Sequence, residues 1–311
     1  MGVRVESYTG DRLDDLTGLY NQANEGIPHA WRVTPAELRH AVLGPQRWGH
    51  GTHVEEDHSE VILVSEERTL LGFVHAAQLP VDLVPTGSEG RARAGHIRAI
   101  GFPADRGDVG WRLITAAEEY LRRQGCDRVH AFGGPHCGYR FTTGCAGGLS
   151  QRAIHARVLM VEAGYTEGPS EALMEAPLHG APSAPPVGSG LQVRESQRAH
   201  GGLTQSGCQL FAGAKPVATC WWYPHSAVVS DPRAVGWAHL TEMRVEHAPH
   251  GTDSLRTLLL WAAELMRRQN LSHLSARVPL EQEDFIELYR GAGLIQVDRC
   301  LSFVKELRTQ G

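Results

Sequence analysis

The sequence predicts a mixed α/β fold built twice along one chain, and three observations predict it. First, one closing segment occurs twice, as Ala156-Arg-Val-Leu-Met-Val-Glu-Ala-Gly-Tyr165 and as Phe285-Ile-Glu-Leu-Tyr-Arg-Gly-Ala-Gly-Leu294. Each reads as a short amphipathic helix stopped by Ala-Gly, followed by alternating strand residues that run to Leu178 and Leu307. Second, Trp111-Arg-Leu-Ile-Thr-Ala-Ala-Glu-Glu-Tyr-Leu-Arg-Arg-Gln-Gly125 matches Arg256-Thr-Leu-Leu-Leu-Trp-Ala-Ala-Glu-Leu-Met-Arg-Arg-Gln-Asn270. Gly and Asn tolerate the left-handed backbone that ends helices, and the arginines suit the negative C-terminal pole. Third, His179–Gly190 is rich in Pro, Gly and Ser and reads as a linker, semi-rigid at its prolines. A repeat of this length sets the architecture before any single element does. The expected plan is an N-terminal domain 1–178, a linker 179–190 and a C-terminal domain 191–311, each long enough to bury a core.

The first copy opens with an alternating strand, Val3–Ser7. Two helices follow, around Arg12–Asn24 and Thr34–Leu43; Thr34 is the N-cap of the second, with Glu37 completing a capping box. Strands are expected at Glu60–Ser65, Thr69–Ala77 and His96–Ile100, then the long helix, a strand at Asp127–Phe132, and the closing helix and strand. The second copy starts at Leu191–Glu195 and passes almost directly to strands at Gln209–Phe211, Lys215–Trp222 and Ala238–Val245. Its long helix leads to a strand at Ser272–Val278. The second copy therefore lacks most of the early helices. The first copy alone carries an insertion, Gly133–Gly148, with His136, Cys137, Tyr139, Arg140 and Cys145; packing is the expected role, with Cys137 or Tyr139 available to chemistry.

A net charge of −5 leaves no basic footprint for nucleic acid. No apolar run approaches the roughly 20 residues of a membrane span, and the N-terminus has no signal-peptide pattern. Six cysteines without a Cys-x-x-Cys pair fit reduced thiols, so a cytoplasmic protein is expected. The spaced histidines His50/His53/His58 and His247/His250 lack a metal-binding pattern and read as loop residues. Trp31, Trp48, Trp221 and Trp222 read as core or interface side chains that could line an acceptor pocket.

With these elements in place, the chain resembles the GCN5-related N-acetyltransferase (GNAT) superfamily in tandem form, over roughly 60–178 and 207–308. The resemblance implies a central strand that splays from its neighbour, acyl-CoA in the opening, and a pyrophosphate held by backbone amides where the following helix begins. In the family that loop reads Gln/Arg-x-x-Gly-x-Gly/Ala. The second copy offers His250, Gly251, Thr252, Asp253, Ser254 and Leu255, followed by Arg256, with Met243, Arg244 and Val245 on the strand before it. The first copy offers Arg106, Gly107, Asp108, Val109 and Gly110, with Ile100 on its strand. Both put an Asp, at 108 or 253, where a glycine is usual. As a helix N-cap pointing outside the site it leaves binding in place but weaker; aimed at the pyrophosphate it abolishes binding.

The later family motif, Asn-x-x-Ala-x-x-Leu-Tyr-x-x-x-Gly-Phe, is met at Leu288, Tyr289 and Gly293, with Gln282, Phe285 and Leu294 as departures. Met160 holds the tyrosine slot in the first copy. The resemblance makes Tyr289 the general acid and, at a position where some relatives carry a catalytic histidine, His239 the general base. The alternatives are a core tyrosine and a polar residue at the start of a strand. His96 is the comparable residue of the first copy. Strict alternation puts His239, Thr241, Met243 and Val245 on one face and Leu240, Glu242 and Arg244 on the other. Glu242, the second candidate base, shares the face of His239 only if the strand is bulged.

The function expected is an acyl-CoA-dependent N-acyltransferase, with acetyl-CoA as co-substrate and a small-molecule or peptide amine as acceptor, active chiefly in the second copy. Catalysis in the first copy with the second as scaffold, or a non-catalytic binding protein, are the alternatives. Neither nucleic acid nor membrane is an expected partner, and the sequence leaves the oligomeric state open.

Overall fold

The structure is a computed structural model that describes residues 2–43, 59–79, 93–133, 148–180, 183–186, 190–200, 202–246 and 251–307. His250, the early histidine group and nearly all of the insertion after Gly133 lie outside these residues. The chain divides into two compact units, one of Met1–Ser170 with Cys300–Gly311 and the other of Glu171–Arg299.

In the N-terminal unit β1 (Val3–Ser7) leads to α1 (Leu13–Ala23) and α2 (Pro35–Leu43). The capping box of α2 is present: the Thr34 amide donates to Glu37 Oε2 at 2.7 Å, and the Glu37 amide donates back to Thr34 Oγ1 at 3.3 Å. Strands β2 (Ser59–Glu66), β3 (Thr69–Gln78) and β4 (Ala94–Gly101) form an antiparallel meander. After α3 (Gly107–Arg123), β5 (Arg128–Ala131) lies parallel to β4. The unit continues through β6 (Leu149–Ser150), α4 (Ile154–Glu162) and β7 (Thr166–Glu167). Helix α3 buries Val109, Leu113, Ile114, Ala117 and Leu121 against Ile62, Val64, Val74, Ala76 and Ile97 of the sheet. Gly72 lets the helix approach, because a Cβ there would sit 2.7 Å from Val109 Cγ1.

The C-terminal unit opens with β8 (Glu171–Pro177), then β9 (Leu191–His200), β10 (Leu203–Ala212) and β11 (Lys215–Pro224). No helix separates β9 from β10; the two form a ten-pair hairpin where the first unit has α1 and α2. The hairpin is longer than its sequence suggests because both strands are largely polar on their outward side. Two 3-10 turns precede β12 (Trp237–Val245), followed by α5 (Gly251–Arg268), β13 (His273–Pro279), α6 (Glu283–Gly291) and β14 (Ile295–Leu301); the last strand, β15 (Phe303–Glu306), belongs to the N-terminal unit.

Sheet order gives the architecture its main departure from two contiguous halves. The seven-stranded sheet runs β1-β2-β3-β4-β5-β15-β7, and the eight-stranded sheet runs β6-β14-β8-β13-β12-β11-β10-β9. Each repeat's last strand pairs in the other's sheet: β8 lies antiparallel to β13, and β15 antiparallel to β5. Strand β15 is firmly held. Phe303 is fully buried in the N-terminal core, and Lys305 donates to Glu118 Oε1 and to the Ala163 carbonyl, both at 2.7 Å.

Candidate active site

Both units carry the expected splay. Strand β4 pairs with β5 from Ala94/Arg128 to Ile97/Ala131, and β12 pairs with β13 from Trp237/His273 to Leu240/Ala276; beyond those pairs the strands part. Just there each central strand has a bulge. The partner of Ala76 is Ile97 but that of His75 is Ala99, and the partner of Trp222 is Leu240 but that of Trp221 is Glu242. Arg98 and Thr241 are the extra residues, and Thr241 Oγ1 donates to the Trp221 carbonyl at 3.1 Å.

The bulge overturns the strict alternation expected along β12. One residue of slip exchanges the faces of everything after it. Met243 and Val245 therefore pack with Leu240 on the α5 side, while Glu242, paired with Trp221, comes to the face of His239. Glu242 is engaged there, with Arg198 at 2.7 Å and Arg244 at 3.2 Å. Arg244 also donates to Glu246 at 2.6 Å.

His239 is buried on that face between Tyr223 of β11 and Ser275 of β13, its partners in register. Its Nδ1 lies 3.0 Å from Ser275 Oγ, and its ring centroid is 5.7 Å from those of both Tyr223 and His225. Tyr289 of α6 belongs to the apolar cluster on the other side of the sheet, with Ala238, Leu240 and Cys220. Burial there, with Cys220 beside it, pushes the phenol well above its ordinary pKa. The two side chains expected to share the chemistry thus sit on opposite faces.

The phosphate-loop residues divide between the units. Gly251 and Thr252 open α5, and the side chains of Ser254 and Leu255 are buried. Asp253 and Arg256 line a recess of about 340 Å³ together with Asp284, Glu287, Leu288 and Gly291, so among the described lining residues carboxylates outnumber the one guanidinium. In the N-terminal unit the N-cap of α3 is Arg106, and Asp108 stands in the first turn. It takes two hydrogen bonds from Arg106, at 2.9 and 3.0 Å, and this pairing holds its carboxyl below the usual range. Gly107 has open space about it, whereas a Cβ on Gly110 would sit 2.8 Å from Leu159 and Phe102. Val109 is core, and Ile100 packs on its edge.

A recess of about 550 Å³ lies between the end of α1, the loop Phe102–Asp105 and the start of α4. It brings in Arg152 and His155, which the sequence reading missed because nothing in a short helix start marks them. His155 stacks edge-on against Phe102 at 4.9 Å, and burial lowers its pKa. His96, the register equivalent of His239, is fully buried with His75 and Arg98; burial first, then the Arg98 charge, holds both histidines well below the usual imidazole pKa. In the place of Ser275 this unit has His130. Trp31, Trp221 and Trp222 are buried, and Trp48 lies outside the described residues. The four described cysteines, Cys126, Cys208, Cys220 and Cys300, are buried and outside any disulfide among the described residues. Among the described residues no helix is long and apolar enough to cross a membrane, and no group of three or more His, Cys, Asp or Glu side chains could hold a metal.

No protein-family model and no curated protein matches the sequence. Solved structures match over the whole chain. A tandem GNAT protein from the clavulanic acid biosynthesis pathway superposes with a TM-score of 0.70 at 12% identity, covering 100% of both chains. A GCN5-related N-acetyltransferase from Sphaerobacter thermophilus gives 0.64 at 14% identity, over 99% of this chain and 96% of that one. The GCN5-related glucosamine N-acetyltransferase region of a fungal multi-domain GH3 β-N-acetylglucosaminidase gives 0.70 at 11% identity, over 98% of this chain and 38% of that one. The chain has the tandem GNAT fold, with a second copy that lacks the early helices.

Proposed function

We propose that this protein is an acyl-CoA-dependent N-acetyltransferase whose reaction centre is the splay between β12 and β13. The observation that carries the reading is His239, one residue before the strands part, with its imidazole hydrogen-bonded to Ser275 beside a bulged central strand. A primary amine attacks the thioester carbonyl: the C–N bond forms, the C–S bond breaks, and CoA leaves as its thiolate. The proton from the attacking nitrogen passes to His239, imidazole being the side chain most often used as a general base. Burial of Tyr289 argues against the acid role expected of it, so the thiolate takes its proton from water. The acceptor is a small-molecule or peptide amine; glucosamine heads the amines to try, on the fungal neighbour's activity.

Calorimetric titration of the full chain with acetyl-CoA tests the reading. Binding is expected, followed by thiol release with a panel of amines and a loss of about 10²–10⁴-fold in His239→Ala. Absence of any acetyl-CoA binding by the folded chain would leave a non-catalytic binding module.

One observation favours a second reading, with the acyl-CoA in the N-terminal unit. The 550 Å³ recess there adjoins the start of α3, where free amides and the dipole favour a phosphate, and α1 supplies a wall that the second copy lacks. Arg106→Ala and Arg256→Ala separate the two: the change that weakens acetyl-CoA binding marks the loop in use.

A further inference from the structure

His239 is one of two histidines on a single hydroxyl. Pro224 ends β11, and the 3-10 turn that follows, His225–Ala227, turns His225 back over the sheet. Its Nε2 lies 3.1 Å from Ser275 Oγ, on the same oxygen that His239 Nδ1 approaches at 3.0 Å. Ser275 Oγ also lies 3.2 Å from the Ala238 carbonyl. All three side chains are buried, Ser275 fully and His225 to 1% exposure.

Counting donors fixes the protons. A carbonyl oxygen only accepts, so the Ser275 hydrogen goes to Ala238. The hydroxyl oxygen is left with acceptor capacity alone, and each imidazole must present an N–H to it. One arrangement therefore satisfies all three contacts at this hydroxyl: His225 protonated at Nε2 and His239 protonated at Nδ1. Any other sets a lone pair against a lone pair at a buried site, where an unmet polar group is costly. The N-terminal unit, with His96 beside His130, has no hydroxyl at this register position.

We infer that Ser275 and His225 are positioning residues that hold His239 as the Nδ1–H tautomer, so that Nε2 carries the lone pair of the base. The catalytic meaning of this rests on the proposed reaction; the tautomer does not. When Nε2 takes the amine proton, the imidazolium keeps its Nδ1–H on Ser275, and no hydrogen bond has to be remade. Among the described residues, the titratable and charged groups on this face beside the cluster include Tyr223 on β11, Glu242 on β12, His273 and Arg277 on β13, and Glu175 on β8, opposite Ser275.

Histidine ring nitrogens of the ¹⁵N-labelled full-length protein, read by long-range proton–nitrogen NMR above the imidazole titration, test the inference. His239 is expected with Nδ1 protonated and Nε2 bare, and Ser275→Ala should move the proton to Nε2. His225→Gln, which keeps a donor toward Ser275, should preserve the wild-type pattern. An Nε2–H signal for His239 in the wild-type protein would overturn the inference without any variant. With acetyl-CoA and an accepting amine, Ser275→Ala should lower kcat on the order of 10²-fold, with the KM for acetyl-CoA unchanged. The expected tautomer together with full activity in His239→Ala would sink the reaction reading and leave the positioning inference standing.

Discussion

A phenol inside an apolar cluster holds its proton, and Tyr289 is buried beside Cys220 with its pKa pushed well up. Giving that proton to a thiolate would leave a phenolate where none is solvated. Tyr289→Phe should therefore keep acetyl transfer within about threefold of wild type, far from the 10²-fold that an acid supplies; a large fall in kcat at constant KM would restore the acid role. Asp253 presents the opposite case, a carboxylate in a recess that already holds Asp284 and Glu287. If CoA phosphates approach the start of α5, Asp253→Asn should tighten acetyl-CoA binding several-fold, since a like charge near 4 Å costs on the order of 4 kcal/mol before screening. Unchanged affinity would move the phosphates to the other unit. Burial and the Arg98 charge also couple His75 and His96 to pH. Their folded pKa values lie below the unfolded value near 6.5, so as pH falls through 6.5 the unfolded chain takes up protons first. Stability is complete above that pH and drops below it, by up to about 1.4 kcal/mol per pH unit for each histidine. Denaturant midpoints between pH 7.5 and 5 should show this slope, and His96→Gln should flatten it.

The bulge is the element that decides which side chains meet. Without it Met243 and Val245 would share the face of His239; with it that face receives Glu242 and the α5 side receives the apolar pair. The repeat, the capping box at Thr34 and the missing early helices were legible in the sequence because periodicity and capping are local. The bulge was not, since one extra residue leaves the polar and apolar pattern readable in either phase. His225 was equally hidden: a histidine after Pro224 acquires meaning only when β13 brings Ser275 beneath it. The start of α3 shows the same split between local signal and packing. Gly107 and Gly110 look alike in a phosphate loop, but only Gly110 lies against Phe102 and Leu159. Gly110→Ala should destabilise the protein by about 1–3 kcal/mol through overpacking, whereas Gly107→Ala should leave thermal stability near wild type. Equal effects from the two would mean that the loop, not the α3–α4 packing, sets the need for glycine.

At the scale of the whole chain the two endings that mark the repeat do not close their own sheets. A β-strand closes a unit by hydrogen bonds and by one buried face, and both requirements are met equally by a repeat partner's strand of the same pattern. That is why β8 and β15 could trade places without a trace in the sequence. The trade makes the units interdependent. Strand β15 brings Phe303 into the N-terminal core and Lys305 onto Glu118, and β8 fills the place between β13 and β14. A chain of two contiguous domains falls into two independent pieces once its linker is cut. Here a protease site inserted within 183–186, then cleaved under native conditions, should give fragments that still elute together on gel filtration and separate only in denaturant. Each fragment retains a strand that belongs to the other's sheet, and extracting it would expose a row of unpaired backbone groups and an apolar face. Ending the chain after Arg299 should act more severely, removing β15 from the N-terminal sheet and with it the burial of Phe303. Cleaved fragments that elute apart, each with a native circular-dichroism spectrum, would show that every half closes its own sheet and that no exchange occurs.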